Sequence, residues 1–317
     1  MIATIVLSVV LGLVLLGAAA ALLRDKRNFS SGRGRTAGPG TGRKALETVA
    51  LGLRAVAEGR AHGPRPMPDV HAVVYSGRRL TLRLAHADPD APSPWTADGS
   101  GKEWSVESAS LRRTGNAGAG PTHPYSLTVT LGLHDGDRVL VDLAQLSGAI
   151  ALTGDDIDVL RLAQALITEL VSGPVGLLAH VVLVGSAATA SVTEGLGVGA
   201  RPARLHTAAT RNEALTSGDA EPTGPVPAAS ASSFRTLHLS REGGVAASAT
   251  HTRRLFVVTA AQFRDERWKD TLLRRTDALL VLGYIPDADW HFKVNADGSL
   301  DTGRLGVPID THTACLF

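Results

Sequence analysis

The chain of 317 residues is long enough for one large domain or two ordinary ones, and 44% apolar residues can supply a sizeable core. A formal net charge of +2 provides no overall basic field for nucleic acid. The single cysteine, Cys315, excludes disulfide frameworks and cysteine-built zinc sites within one chain, and it stands one place too late for a prenylation box.

The first predicted element is a membrane anchor over residues 1–23. The run 2–23, "IATIVLSVVLGLVLLGAAAALL", carries no charge. At about 1.5 Å per helical residue it matches the roughly 30 Å of a bilayer core. A cleaved signal peptide would want basic residues before the apolar run, and only Met1 precedes it. The basic groups follow instead: Arg24, Lys26, Arg27, Arg33 and Arg35, then Arg43 and Lys44, against Asp25. Such a flank stays on the cytoplasmic side, so the body is expected in the cytoplasm, with the flank able to touch anionic headgroups.

Residues 24–43 read as a basic flexible tether, and 44–317 as a soluble body. A helix is predicted over about 43–58, with Leu46, Val49, Ala50, Leu53, Val56 and Ala57 on one face and Gly59 as its stop. "VHAVVYSGRRLTLRLA" (70–85) predicts a hairpin around Ser76-Gly77, and "KEWSVESASL" a short strand. "YSLTVTLGLHDGDRVLVDLA" predicts a second hairpin, with Leu127, Val129 and Leu131 alternating with polar residues and a turn at Asp135-Gly136. "TGDDIDVLRLAQALITELVSG" predicts a helix capped by Thr153, with Asp155 and Asp156 at its positive end and Gly173-Pro174 at its close.

An apolar strand inside a sheet is predicted at 179–187. Residues 216–233 are rich in Pro, Ser and Ala and read as a disordered internal loop, dispensable for folding. Beyond it come strands near 235–239 and at 254–259, a helix over about 260–275, a strand at 277–284 and a final hairpin turning at Asn295–Gly298. Strands alternating with helices predict an α/β fold: a mixed sheet with antiparallel hairpins at its edges.

Three stretches together resemble a known family: "PMPDVHAVVYSGRRLTLRLAHADPDAPSPW", "YSLTVTLGLHDGDRVLVDLAQLSGAIALTGDD" and "DALLVLGYIPDADWHFKVNADGSLDTGRLGV". They are similar to the intracellular middle region of actinobacterial membrane proteins that join a LysM module, transmembrane helices, this region and a terminal bacterial transcriptional activator domain. The likeness covers roughly residues 44–185 and 253–310. It implies a cytosolic α/β module on a membrane anchor and no known chemistry. No LysM module precedes the region here and no activator domain follows it, which argues against direct transcriptional activation.

Candidate sites are few. "GSGK" (99–102) has Thr96 where a Walker loop needs its first Gly, and Glu103 where it needs Ser or Thr, so it reads as a solvated turn. "GLGVGARP" (195–202) lacks the third spacing of a dinucleotide fingerprint and reads as a loop. His86, Asp88 and Asp90 could hold a hard cation, but Asp88-Pro89 and Asp90 read first as turn builders. His123, His134, His291 and His312 show no zinc spacing. Cys315 would need a low pKa and a distant His to act as a nucleophile. Arg253, Arg254, Arg264, Arg267, Arg274 and Arg275 gather near one predicted helix, offset by Asp265, Glu266 and Asp270, and read as a solvated ion-paired face.

No catalytic, cofactor-binding or metal-ligating residue is therefore assigned, and no cofactor. The reading is a single-pass, membrane-anchored cytosolic scaffold or regulatory module, with the membrane and an unidentified protein as partners and no nucleic acid. Two alternatives stay open: a nucleotide-binding protein or enzyme with a non-local site, and an exported, tethered extracytoplasmic binding domain.

Overall fold

A computed structural model describes residues 39–61, 65–114, 123–189, 192, 203–217, 253–271 and 273–316. The chain divides into Met1–Gly38 and Pro39–Phe317, and every described residue belongs to the second unit. The anchor, the residues Arg24, Lys26, Arg27, Arg33 and Arg35, the glycine run 195–202, the strand near 235–239 and residues 218–233 of the internal loop lie outside the described residues. Among the described residues no helix is long and apolar enough to cross a membrane.

The body is mixed α/β, built on two seven-stranded sheets rather than the single mixed sheet expected. Strands β1 (Val70–Tyr75), β2 (Arg79–Leu84), β3 (Thr96–Ala97), β4 (Glu103–Glu107), β5 (Thr128–His134) and β6 (Asp137–Asp142) join β14 (Thr311–His312) in an antiparallel sheet ordered β14-β5-β6-β1-β2-β4-β3. The two predicted hairpins pair with each other through β1 and β6 instead of flanking a parallel sheet. The physical reason is local. Short turns join β1 to β2 and β5 to β6, so each hairpin closes on itself before the first helical crossover appears.

Crossovers begin after β7 (Ala149–Thr153). With β8 (Ala179–Val184), β9 (Leu205–Ala208), β10 (Arg253–Thr259), β11 (Ala278–Leu282), β12 (Trp290–Val294) and β13 (Leu300–Asp301) it forms a sheet ordered β13-β12-β7-β11-β10-β8-β9. All of its pairs are parallel except β12 with β13. That last hairpin does sit at an edge, as expected, and β8 lies inside the sheet.

Three apolar cores set the layers. Helix α1 (Pro39–Ala61) lays Val49, Leu53 and Val56 against Leu80, Leu82, Trp104 and Leu140 of the antiparallel sheet. Helix α3 (Asp156–Ser172), which follows the short α2 (Ser108–Thr114), puts Leu162, Leu166 and Leu170 into a core shared by both sheets. Val129, Leu131, Val139 and Val141 line it from one side, and Ile150, Leu152, Val181, Leu183 and Val257 from the other. On the far face of the parallel sheet, Phe256, Val258 and Val281 pack with Ala214 of α4 (Arg211–Thr216), Phe263 of α5 (Ala260–Asp265) and Trp268. Each fully buried side chain of this size contributes about 1.5–3 kcal/mol. The layering explains two burial patterns. β2 and β4 alternate because α1 covers one face only, whereas β5 is buried on both faces, with Thr128 and Thr130 enclosed as well.

Several boundaries depart from expectation. α1 begins at Pro39, inside the predicted tether, where a proline suits a first helical turn. It also runs through Gly59 to Ala61. Gly59 is no stop: a Cβ there would stand 2.3 Å from Pro92 Cβ, so the residue is glycine to admit that loop. The cap of α3 is Asp155, which accepts from Ile157 N at 3.0 Å, while Thr153 ends β7 and donates to Phe292 O. The helix expected over 260–275 stops at Asp265, and Arg267, at φ 53°, starts a 3-10 turn that buries Trp268. Helix α4 was not expected. Its Thr210 accepts from Glu213 N, a Thr-x-x-Glu cap legible in the sequence, and its last residue, Thr216, is the first residue of the predicted loop.

Candidate functional site

Open α/β sheets bind ligands outside the carboxyl ends of their strands, where neighbouring strands send their connections to opposite faces. This sheet has two such places. After β7 the chain enters α3 and the shared core, whereas after adjacent β11 it passes Ile285 on the far face. After β8 it places Ala187 in the shared core, whereas adjacent β10 leads to Phe263 on the far face.

At the first place, Gly283 N donates to Leu152 O at 2.9 Å, and the Tyr284 ring lies 6.0 Å from that of His291. Ile157 is 60% exposed and Tyr284 66% exposed. Asp155 and Asp156 are exposed beside Ile157 in the sequence.

At the second place, the hydroxyls of Ser186 and Thr259 lie 2.9 Å apart. Thr259 also caps α5 by accepting from Gln262 N. Gly185, at φ 48°, makes room for the Gln262 side chain, whose Nε2 would stand 2.2 Å from a Cβ, and Gln262 donates to Glu266. The crevice is thus filled from within. Neither hydroxyl bonds an imidazole or carboxylate among the described residues, so no activated nucleophile is assembled there.

The sequence candidates are engaged by neighbours. The GSGK stretch is the turn between β3 and β4. Asp98 accepts from Ser100 Oγ at 2.7 Å and Glu103 N at 3.0 Å, and these bonds hold its carboxyl below the usual range. Donors that a phosphate would need are taken by a carboxylate. Gly101, at φ 68°, packs on the Asp88-Pro89 backbone and its carbonyl accepts from Asp88 N at 2.7 Å. Asp88 builds the expected turn by accepting from Asp90 N, and it also pairs with buried Arg60 and with Arg65, while Asp90 pairs with Arg65. Arg60 stacks 4.9 Å over the Trp104 ring, and Trp104 Nε1 donates to Asp88 O. Two arginines there disfavour a cation. His86 is exposed.

The histidines are less scattered than their spacing suggests. His134 Nδ1 lies 3.1 Å from both oxygens of Asp310, and Asp135 completes a surface group whose ligand atoms fall within 4.8 Å of one another. Asp310 also accepts from Asp135 N, so the group ties the β5–β6 turn to the segment before β14. His180 Nδ1 and His206 Nε2 lie 2.9 Å apart on neighbouring strands, their rings nearly parallel. His291 contacts Ile285 O. Cys315 Sγ lies 3.3 Å from His312 Nε2, but burial raises the thiol pKa and lowers that of His312, so the neutral pair is favoured.

The arginine cluster is not wholly solvated. Arg254 is buried, pairs with Asp277 through Nη2 at 2.8 Å and Nε at 3.3 Å, and donates to Leu215 O. Arg267 and Asp270 keep the expected exposed pair. Two further groups are buried: His123, noted in the sequence only for its lack of zinc spacing, and Asp142, which the sequence does not single out. Burial lowers His123 to about 3, helped by Arg54 and Arg253. Burial raises Asp142 to about 6 although Ala144 N donates to it.

Comparison with protein families, curated proteins and solved structures found no match to the chain. The residues themselves carry any functional reading.

Proposed function

We propose that the protein is a membrane-anchored module that docks another protein at the carboxyl edge of its parallel sheet, as scaffold or regulator. The observation that carries this reading is the exposure of Ile157 and Tyr284 on the connections that leave neighbouring β7 and β11, with Asp155 and Asp156 exposed next to Ile157 in the sequence. Exposed apolar residues are ordinary singly, but large ones on both connections at one end of a sheet suit an interface. The partner surface would combine apolar and basic groups. The apolar run 2–23, its basic flank and the likeness to an intracellular middle region support anchoring with the body in the cytoplasm.

A photo-crosslinking amino acid placed at position 284 of the full chain in native membranes should give a discrete adduct. One placed at Arg79, on the solvated face of the other sheet, should not. Ile157→Asp should diminish the adduct at 284. Equal labelling from both positions, or none from 284, would remove the docking reading. Sidedness is tested separately with protease added to intact, wall-stripped cells. Survival of the body supports the cytoplasmic assignment, and its digestion transfers the proposal to an exported binding domain.

A further inference from the structure

Where the β5–β6 turn meets the segment before β14, three metal-ligating side chains converge at the surface. His134, Asp135 and Asp310 each place one ligand atom within 4.8 Å of the others. His134 and Asp310 stand 176 positions apart in the chain, so no motif spacing announces them. The backbone holds all three in place. Asp310 N donates to Leu133 O at 2.8 Å, Asp135 N donates to Asp310 Oδ2 at 2.8 Å, and Asp135 takes φ 51° in the hairpin turn before Gly136. Asp137 stands opposite His134 in the ladder and brings a third carboxylate close. Among the described residues Asp135 and Asp310 form ion pairs with His134 alone, with no Lys or Arg to balance their charge.

The imidazole lies between two carboxylates. Nδ1 is 3.1 Å from both oxygens of Asp310, and Nε2 is 3.4 Å from Asp135 Oδ2. A neutral imidazole has one N–H and one lone pair. With the N–H at Nδ1 donated to Asp310, the lone pair at Nε2 faces a carboxylate oxygen. Two lone pairs repel each other unless a cation lies between them. The separation fits a metal ion better than a proton. Ordinary N–H···O bonds span about 2.7–3.2 Å. Bonds of about 2.0–2.2 Å from zinc to a nitrogen and an oxygen, at a tetrahedral angle, set those two atoms about 3.4 Å apart. Asp310 then stands where a metal-bound histidine finds its carboxylate partner, on the other ring nitrogen.

We infer that His134 Nε2 and Asp135 Oδ2 bind a first-row divalent cation of the zinc class, with Asp310 as the positioning residue and water in the remaining positions. An imidazole beside a carboxylate suits zinc, whereas magnesium and calcium take oxygen ligands. The side chains of His134 and Asp135 are 36% and 88% exposed, so the ion has a path of entry. Through Asp310 the ion clips the C-terminal strap to the β5–β6 turn. The inference does not rest on the docking reading.

The test uses the untagged full chain in detergent, stripped of metal by a chelator and kept at constant ionic strength in a non-coordinating buffer. Zinc chloride should bind saturably in calorimetric titration, one ion per chain, and raise Tm by about 3 °C at a tenfold excess over Kd. Magnesium and calcium chloride should do neither. His134→Gln and Asp135→Asn should each abolish saturable binding, the second at a backbone conformation that asparagine also adopts. Asp310→Asn keeps an acceptor for Asp135 N and should weaken binding about tenfold, and Asp310→Glu should recover part of it. Acidification should weaken binding, because protons compete for the imidazole. Cys315→Ser should leave it unchanged, which separates this site from the Cys315–His312 pair, and so should His86→Gln, at another exposed histidine. No saturable zinc binding, binding that survives His134→Gln, binding lost in Cys315→Ser, or an equal response to magnesium overturns the site. A chain that ignores zinc but gains stability on acidification through His134 overturns it in favour of a protonated imidazole held between the carboxylates.

Discussion

Residues buried with the wrong protonation state make this protein sensitive to pH in two opposed ways. His123 is held neutral in the fold at about 3, well below the usual histidine range, mainly by burial. The unfolded chain takes up a proton near pH 6.5, so this group's contribution is complete above that value and is lost as pH falls toward 3. Between pH 6.5 and 5 the loss is about 2 kcal/mol. Asp142 acts in reverse, since burial raises it to about 6. Its protonated form is favoured in the fold, so its contribution is complete below about pH 4 and lost as pH rises through 6. Urea unfolding at pH 5 and 6.5 should show His123→Phe losing less stability on acidification than the parent, and Asp142→Asn losing more. Identical slopes in all three proteins would refute the burial argument. The Arg254–Asp277 pair makes a different prediction. Asp277→Ala should cost about 3–5 kcal/mol by stranding a buried guanidinium, and adding Arg254→Met should recover part of it. Neither His123 nor Asp142 could be read from spacing, because the elements that bury them are distant in sequence.

At the scale of elements, glycines that look like punctuation can be contact points. From the sequence Gly59 reads as a helix stop, where an alanine would be harmless. In the fold it is helical and touches Pro92. Helix preference favours alanine by about 1 kcal/mol, but a Cβ forced into Pro92 costs about 1–3 kcal/mol. Gly59→Ala should therefore destabilise, measured as a lower urea midpoint, while Gly99→Ala, with open space around it, should change little. The sequence still revealed most elements. The turn at Asp135-Gly136 and the period of α3 are local signals, and both hold. α4 was missed although its cap, Thr210-x-x-Glu213, was visible. The early stop of α5 follows from Trp268 turning into the far core, a tertiary demand that no local period encodes. The exposure of Tyr284 and Ile157 is equally illegible, since it exists only after the sheet forms.

At the scale of the whole molecule, alternating strands and helices revealed the α/β class, but strand partners did not follow from order. Residues 70–142 close into an antiparallel sheet of their own, and the parallel sheet starts only at β7. One further connection binds the two. β12 and β13 extend the parallel sheet, and β14, reached soon after, crosses to pair with β5 of the other. Removing residues 308–317 should thus expose the β5 edge. The truncated protein should show faster amide exchange at Gly132 and Leu133 and lower stability, with little change in exchange at Leu80 and Leu82.

Seen from the ribosome, that late strap imposes a timetable. Residues 132–133 are synthesised long before residues 311–312, their partners on β14. β7 likewise waits for β12, supplied by residues 290–294. A nascent chain arrested at residue 285 holds most of both sheets yet can complete neither, so open strand edges persist throughout elongation. Such edges invite pairing with neighbouring chains on the same message. Arrested chains of this length should bind general chaperones more than chains arrested at residue 317 with a linker that clears the exit tunnel.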